Sequence, residues 1–177
     1  MTFRAMLPRS SRCVTLRPLE HRDATAYAAG AADPDVRRLA HLPEPEYTPG
    51  RVRELIDTTV EEGLSSGTLA VLALADAATD DFLGSMVIFD VTVDSAEVGF
   101  WVAPAGRGRG VAAAGLRLAC DLARARGMTH LRARTDVDNA ASRTVLERAG
   151  FRPVGAPAPG TTPSGAVATM QEYVAAV

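Results

Sequence analysis

The chain has 177 residues, 47% of them hydrophobic, enough to bury a core without disulfides or metal and too apolar for intrinsic disorder. Its formal net charge of −2 argues against broad electrostatic binding to nucleic acid or anionic lipid. The two cysteines, Cys13 and Cys120, fit no metal or redox spacing and suit a reducing compartment, with packing the expected role of each.

The opening "MTFRAMLPRSSR" lacks the apolar core of about 7–15 residues that a secretory signal needs. No apolar run nears the ~18 residues of a membrane-spanning helix, so a cytoplasmic protein with no membrane partner is expected.

Next, "CVTLRPL" (13–19) alternates and predicts a strand, and "EHRDATAYAAGAA" (20–32) predicts a helix. A Pro-interrupted segment runs on to Tyr47. Thr48 then caps a helix with Pro49 at its first position, and Val52, Leu55, Ile56 and Val60 follow at helical spacing. "TLAVLALA" (68–75), "FLGSMVIFDVTV" (82–93) and "AEVGFWVA" (96–103) read as an antiparallel meander. A helix over 111–126 stops at Gly127, "THLRART" (129–135) is a strand, and a helix over 139–149 stops at Gly150. "FRPVG" starts another strand, "APAPGTTPSG" (156–165) reads as a mobile loop, and "AVATMQEYVAAV" closes the chain as a strand. The strand–helix–strand unit over 96–135 is a crossover, so its two strands should be parallel within a mostly antiparallel sheet. The expected fold is a single α/β domain with a mixed sheet of about seven strands and helices on both faces.

The junction "GRGRG" (106–110) packs three glycines and two arginines between a strand and a helix, where a turn needs only one glycine. A helix that begins right after a strand offers unpaired N–H groups and the positive end of its dipole. Glycines let an anion approach, and arginines add charge and donors. Residues 107–112 therefore read as a phosphate or pyrophosphate site. No Gly-Lys-Ser/Thr follows, which excludes a Walker loop. Gly108, Gly110 and Ala113 match a dinucleotide fingerprint, but that loop follows the first strand of its fold, and here three or four strands come first.

"RGRGVA" (107–112) also matches Arg/Gln-x-x-Gly-x-Gly/Ala, the pyrophosphate motif of the GCN5-related N-acetyltransferases (GNAT). "AEVGFWVAPAGRGRGVAAAGLRLACDLA" resembles the fourth strand, loop and third helix of that superfamily, and "TDVDNAASRTVLERAGFRPVG" its next helix and strand. "RCVTLRPLEHRDATAYAAGAADPDV" with "TPGRVRELI" is similar to the N-terminal half of its ribosomal-protein-alanine branch. The resemblance runs from about Arg12 to the C-terminus. It implies a parallel strand pair splayed around the cofactor, acetyl-CoA as co-substrate without metal, and direct attack of a primary amine on the thioester. The amine belongs to a small molecule or a protein N-terminus; a homodimer is compatible but has no sequence signal. The alternative is a coenzyme A-binding module without turnover.

Site residues follow from the same resemblance. Arg107, Gly108, Arg109, Gly110, Val111 and Ala112 would hold the pyrophosphate, and Trp101, Val102 and Ala103 would pair with the pantetheine arm. Glu97, Gly99 and Trp101 share the face opposite the apolar Ala96, Val98, Phe100 and Val102. Histone-acetylating relatives carry a catalytic glutamate at the position of Glu97, which makes it the candidate base; the competing reading is a solvated or arginine-paired carboxylate. The resemblance gives Asn139 a hydrogen bond to the arm and puts Ser142 near the sulfur as candidate acid, although Asn139 also suits a helix cap. Many relatives keep a tyrosine acid where this chain has Leu146. His41, Glu44, Glu46 and Tyr47 fall where the family's substrate loop lies, and the 156–165 segment is a further pocket candidate. Deprotonating a lysine-like amine at pH 7 costs about 4.6 kcal/mol and an α-amine about 1.4 kcal/mol, which favours N-termini as acceptors.

Overall fold

The computed structural model describes residues 2–177. Eight strands form one sheet in the order β1-β2-β3-β4-β5-β6-β8-β7. They are β1 (Arg9–Ser10), β2 (Val14–Pro18), β3 (Ala70–Asp76), β4 (Phe82–Phe89), β5 (Ser95–Val102), β6 (His130–Asp136), β7 (Arg152–Thr161) and β8 (Val167–Ala176). All neighbours are antiparallel except β5 and β6. The strand beyond the expected seven is β1, whose two residues carry no periodicity to read.

The helices are α1 (Ala24–Ala31), α2 (Pro34–Leu39), α3 (Pro49–Leu55), α4 (Glu61–Ser66), α5 (Val111–Ala125) and α6 (Ala140–Arg148), with a π-helical turn Ile56–Val60 joining α3 to α4. Thr48 caps α3 as expected, its hydroxyl accepting from the Arg51 amide at 3.2 Å. Two segments depart from the sequence reading. The Pro-interrupted stretch contains α2, because Asp33 accepts from the amides of Asp35 and Val36 at 3.1 and 3.2 Å and Pro34 holds the first helical position. The expected loop over 156–165 is largely β-structure. β7 lies at the sheet edge, where proline's missing N–H is tolerated, and a register shift between Val154 and Ala158 absorbs the irregular residues.

One core lies between the sheet and α5. Leu116 and Leu122 of α5 pack there with Leu72, Leu74, Met86 and Leu131, all fully buried. The helix sits close: a Cβ on Gly115 would meet Leu74 at 2.4 Å. A second core joins α1, α2 and α3 to the other face through Tyr27, Val36, Val52, Phe82 and Trp101. The Trp101 ring lies 5.1 Å from Tyr27, edge-on, and 5.7 Å from Phe82. Cys120 is buried and its thiol is pushed up to about 11 by desolvation. Cys13 is exposed rather than packed, since β2 begins one residue later. Among the described residues no helix is long and apolar enough to cross a membrane.

The feature that creates a site is the β5–β6 pair. It holds for three rungs, Ser95↔His130, Ala96↔Leu131 and Glu97↔Arg132, and then opens. Beyond that point β5 stays with β4 and β6 with β8. A wedge of open sheet is left between residues 98–102 and 133–136.

Candidate functional site

At the wide end of this wedge stands the glycine junction. Gly108 and Gly110 have φ of 71° and 73°, and a Cβ at either would meet nothing within 4 Å. Their role is backbone conformation rather than packing, and the left-handed turn at Gly110 launches α5. No side chain caps that helix start, so its first amides point outward with the positive end of the dipole. Gly108, Gly110, Val111 and Ala112 line a cavity of about 620 Å³. An anion would meet main-chain donors there.

The two arginines behave differently. Arg107 lines the cavity and its guanidinium reaches Asp33 at 2.5 Å and Asp35 at 3.6 Å. This contact holds the Asp33 carboxyl below its ordinary range, against the opposing effect of burial. Arg109 instead pairs with Asp76 at 2.5 Å, and its side chain does not border the cavity. The Asp76 carboxylate at the end of β3 is the partner of the Arg109 guanidinium. Arg38 and Arg148 line the cavity in its place.

The wall of the wedge follows from β-sheet alternation. Ala103 donates its amide to the Leu83 carbonyl at 2.8 Å. Hydrogen-bonded rungs alternate in an antiparallel pair, so Trp101 also turns its main chain to β4, while Phe100 and Val102 turn theirs into the gap. Of residues 101–103, Val102 alone therefore has its strand main chain facing the gap, as does Phe100 before them. Trp101 contributes its ring.

A second cavity of about 560 Å³ lies on the far side of the wedge. The two cavities share Leu39, Ala40, Phe100, Trp101, Asn139 and Ser142. Asn139 caps α6, its side-chain oxygen accepting from the Ser142 amide at 3.0 Å, which leaves the amide nitrogen as a donor. The Ser142 hydroxyl has no hydrogen bond to the protein among the described residues. Leu146, 1% exposed, fills the position one turn further on.

Glu97 sits at the narrow end on the second cavity, 6% exposed, with Oε1 accepting from Arg134 Nε at 2.9 Å. Of the two readings of this residue, the arginine-paired one describes its contacts. His41, Glu44 and Tyr47 line the same cavity as expected, and Glu46 does not. Arg51 grips Glu44 with Nη2 at 2.7 Å. Burial raises the Tyr27 and Tyr47 phenols above their ordinary value, so both remain protonated at neutral pH. The 156–165 segment reaches this cavity with Thr161, Thr162 and Pro163, whereas sequence reasoning missed Arg134 and Asp136. No motif marks them; they arrive by topology.

Comparison with known proteins agrees with this architecture. A family model described as an acetyltransferase (GNAT) domain matches residues 14–152. Among solved structures, Mycobacterium smegmatis RimJ in complex with a CoA disulfide is 24% identical, with a TM-score of 0.77 over 93% of this chain and 82% of that one. RimL, a ribosomal L7/L12 α-N-protein acetyltransferase in complex with coenzyme A, is 15% identical with a TM-score of 0.82, covering 96% and 97%. The ribosomal-protein-S5-alanine acetyltransferase of Vibrio fischeri is 17% identical with a TM-score of 0.78, covering 96% of each chain. Among curated proteins, none matches.

Proposed function

Because the chain belongs to the GNAT acetyltransferase family, and is thus an acetyl-CoA-dependent N-acetyltransferase, we propose that its acceptor is the α-amine of a protein N-terminus. The observation that carries this reading is the meeting of two cavities through Phe100, Trp101, Asn139 and Ser142. One side suits the coenzyme and the other the amine. Neighbours named for acting on ribosomal proteins L7/L12 and S5 support a protein N-terminus, as does the lower cost of deprotonating an α-amine.

In this reading the amides of 108–112, with Arg107 and the Arg109 main chain, hold the pyrophosphate at the start of α5. Main-chain groups of Phe100 and Val102 pair with the arm, the Trp101 ring and the Ala103 corner shape its path, and the Asn139 side-chain amide donates to it. Bound there, acetyl-CoA supplies the activated acyl group. Ser142, with its hydroxyl unengaged, delivers a proton to the departing sulfur. Glu97, oriented by Arg134, keeps a carboxylate at the narrow end that draws a cationic amine inward.

Free-thiol release tests this directly. Acetyl-CoA is mixed with peptides beginning in alanine or serine, and with small primary amines. The expected result is turnover of the peptides with acetylation at the N-terminal nitrogen, located by mass spectrometry. Turnover confined to small amines would overturn the protein acceptor. Coenzyme binding with no thiol release from any acceptor would instead leave a binding module.

A further inference from the structure

Strand β5 carries a glycine that the fold does not require. Gly99 lies between Glu97 and Trp101 on the face that borders the second cavity, with extended backbone that any residue adopts. A Cβ there would meet only side chains, Val87 Cγ1 at 3.2 Å and Phe89 Cε1 at 3.8 Å. Gly84 on β4 differs, since its Cβ would strike the Trp101 carbonyl oxygen at 2.4 Å. Glycine inside a strand weakens it, and it marks a bulge, a corner or the close approach of another group. Around Gly99 the β4–β5 register runs unbroken from Gly84↔Val102 to Phe89↔Glu97. With no bulge and no crowding backbone, close approach of a ligand is the reading left.

The missing side chain leaves a notch in the sheet. Val87 lies directly across on β4, Val71 beyond it on β3, and Phe89 across from Glu97. All four residues of the notch line the second cavity and are only half-buried, so their surfaces are open to a ligand. Leu55 of α3 and Val60 of the π-helical turn line the same cavity. The carboxylates of Glu97 and Glu44 are tied to Arg134 and Arg51, and the notch itself carries no charge. Such a surface gains by covering apolar groups and rejects an unpaired charge.

Position identifies the occupant. Gly99 belongs to the stretch where β5 has parted from β6. In the acetyltransferase reading above, the pantetheine arm passes Val102 and Phe100 toward the narrow end, which brings the acyl carbon beside Gly99. An α-amine that attacks this carbon carries the side chain of its own residue two bonds away. No other side chain of a peptide acceptor starts so near the reacting centre. We propose that the Gly99 notch receives the side chain of the acceptor's first residue and selects an aliphatic one, valine, leucine or methionine over alanine or aspartate. The inference rests on the N-terminal acceptor reading; Gly99 sets the depth of the notch and Val87 its floor.

Peptides that differ only in their first residue test this, with kcat/KM followed by thiol release. In the wild type the leucine peptide should exceed the alanine peptide about 10- to 50-fold, the discrimination that a few buried methyl groups supply. Gly99→Ala should cut this ratio about threefold, and Gly99→Val should bring it to about one or below. Val87→Leu fills the same notch from β4 and should move the ratio the same way, which keeps the test alive if Gly99→Val does not fold. Coenzyme affinity by calorimetry, expected within about threefold of wild type, reports an intact fold. A ratio taken within one variant is not mimicked by a general loss of activity. A wild-type ratio below about three, or one that Gly99→Val and Val87→Leu leave unchanged, would overturn the proposal. The same variants are assayed with propionyl-CoA: a shifted acyl preference at constant peptide ratio would give the notch to the acyl chain and overturn it equally. Similar turnover of every peptide sinks this inference alone, whereas turnover of small amines only sinks the N-terminal acceptor and the notch's role with it.

Discussion

The mouth proposed for the coenzyme and the cavity proposed for the acceptor share a boundary but are made by opposite means. The mouth is main chain: two left-handed glycines, an uncapped helix start and the alternate amides of an opened strand. The acceptor cavity is side chain: two Arg–Glu pairs, a histidine, two phenols and the tip of a distant hairpin. Main-chain sites depend on conformation, which glycine spacing encodes locally. Side-chain sites depend on which elements meet, and several sequences could supply them. Substrate choice can therefore drift on this scaffold while coenzyme binding stays fixed.

The strongest way to break this division is at the boundary. Ser142 belongs to both cavities, so Ser142→Ala should lower kcat by roughly 10²-fold or more, the range of a lost proton donor. Coenzyme affinity and amine KM should stay within about threefold, because the backbone contact to Asn139 survives. If KM for the amine rises while kcat holds, Ser142 belongs to acceptor binding alone.

Next in size is the mouth. Gly110→Val puts a β-branched residue at a φ of 73° and misdirects the first amides of α5. Coenzyme Kd should rise about 30- to 100-fold, equivalent to roughly 2–2.7 kcal/mol, or one or two charge-assisted hydrogen bonds. Amine KM should be untouched. An equal effect on both would mean that the two regions are not separable.

Much of this was legible without coordinates, for a physical reason. The meander, the crossover, the α5 and α6 boundaries and the glycine junction all rest on local signals, namely period, caps and glycines. The α2 cap at Asp33-Pro34 was equally local and was overlooked inside a proline-containing stretch. The β7 extension was not legible, because edge position decides whether prolines 153, 157 and 159 are tolerated. Arg109 illustrates the limit most sharply. Its charge suggested a phosphate, and nothing local announced the carboxylate partner at the end of β3, some 30 residues earlier in the chain. Glu97 is similar: the face it occupies followed from alternation, and its Arg134 partner came from a strand brought alongside by the crossover.

A smaller effect sharpens the acceptor side. Glu97→Gln keeps the shape and removes the charge, leaving Arg134 partly exposed at 37%. The amine KM should rise about tenfold and kcat should fall less than fivefold, with a stability loss of roughly 1 kcal/mol, discounted from a buried pair because one partner is solvated. A kcat loss of about 10²-fold instead, steepest at low pH, would give the proton-accepting role to Glu97.

The smallest effect concerns the ionic ties around the mouth. Asp33, held by Arg107, and Asp76, held by the amides of Ala78 and Thr79 and by Arg109, both have carboxyls below their ordinary range. Asp80, between Arg17 and Arg22, behaves the same way. A carboxyl whose folded value lies below its unfolded one contributes fully above the unfolded value, near ~3.9, and loses that contribution as pH falls through the folded value. Thermal stability should thus be flat in these groups from neutral pH to about pH 5 and decline below about pH 4. Asp33→Asn and Asp76→Asn should each flatten the acid limb slightly. They should differ in function: Asp33→Asn frees a cation that lines the coenzyme cavity, so coenzyme Kd should tighten up to about threefold at low salt. Asp76→Asn frees one that points elsewhere and should leave Kd alone. Equal tightening in both variants would mean that Arg109 swings into the mouth once released, and the contrast between the two arginines would not hold.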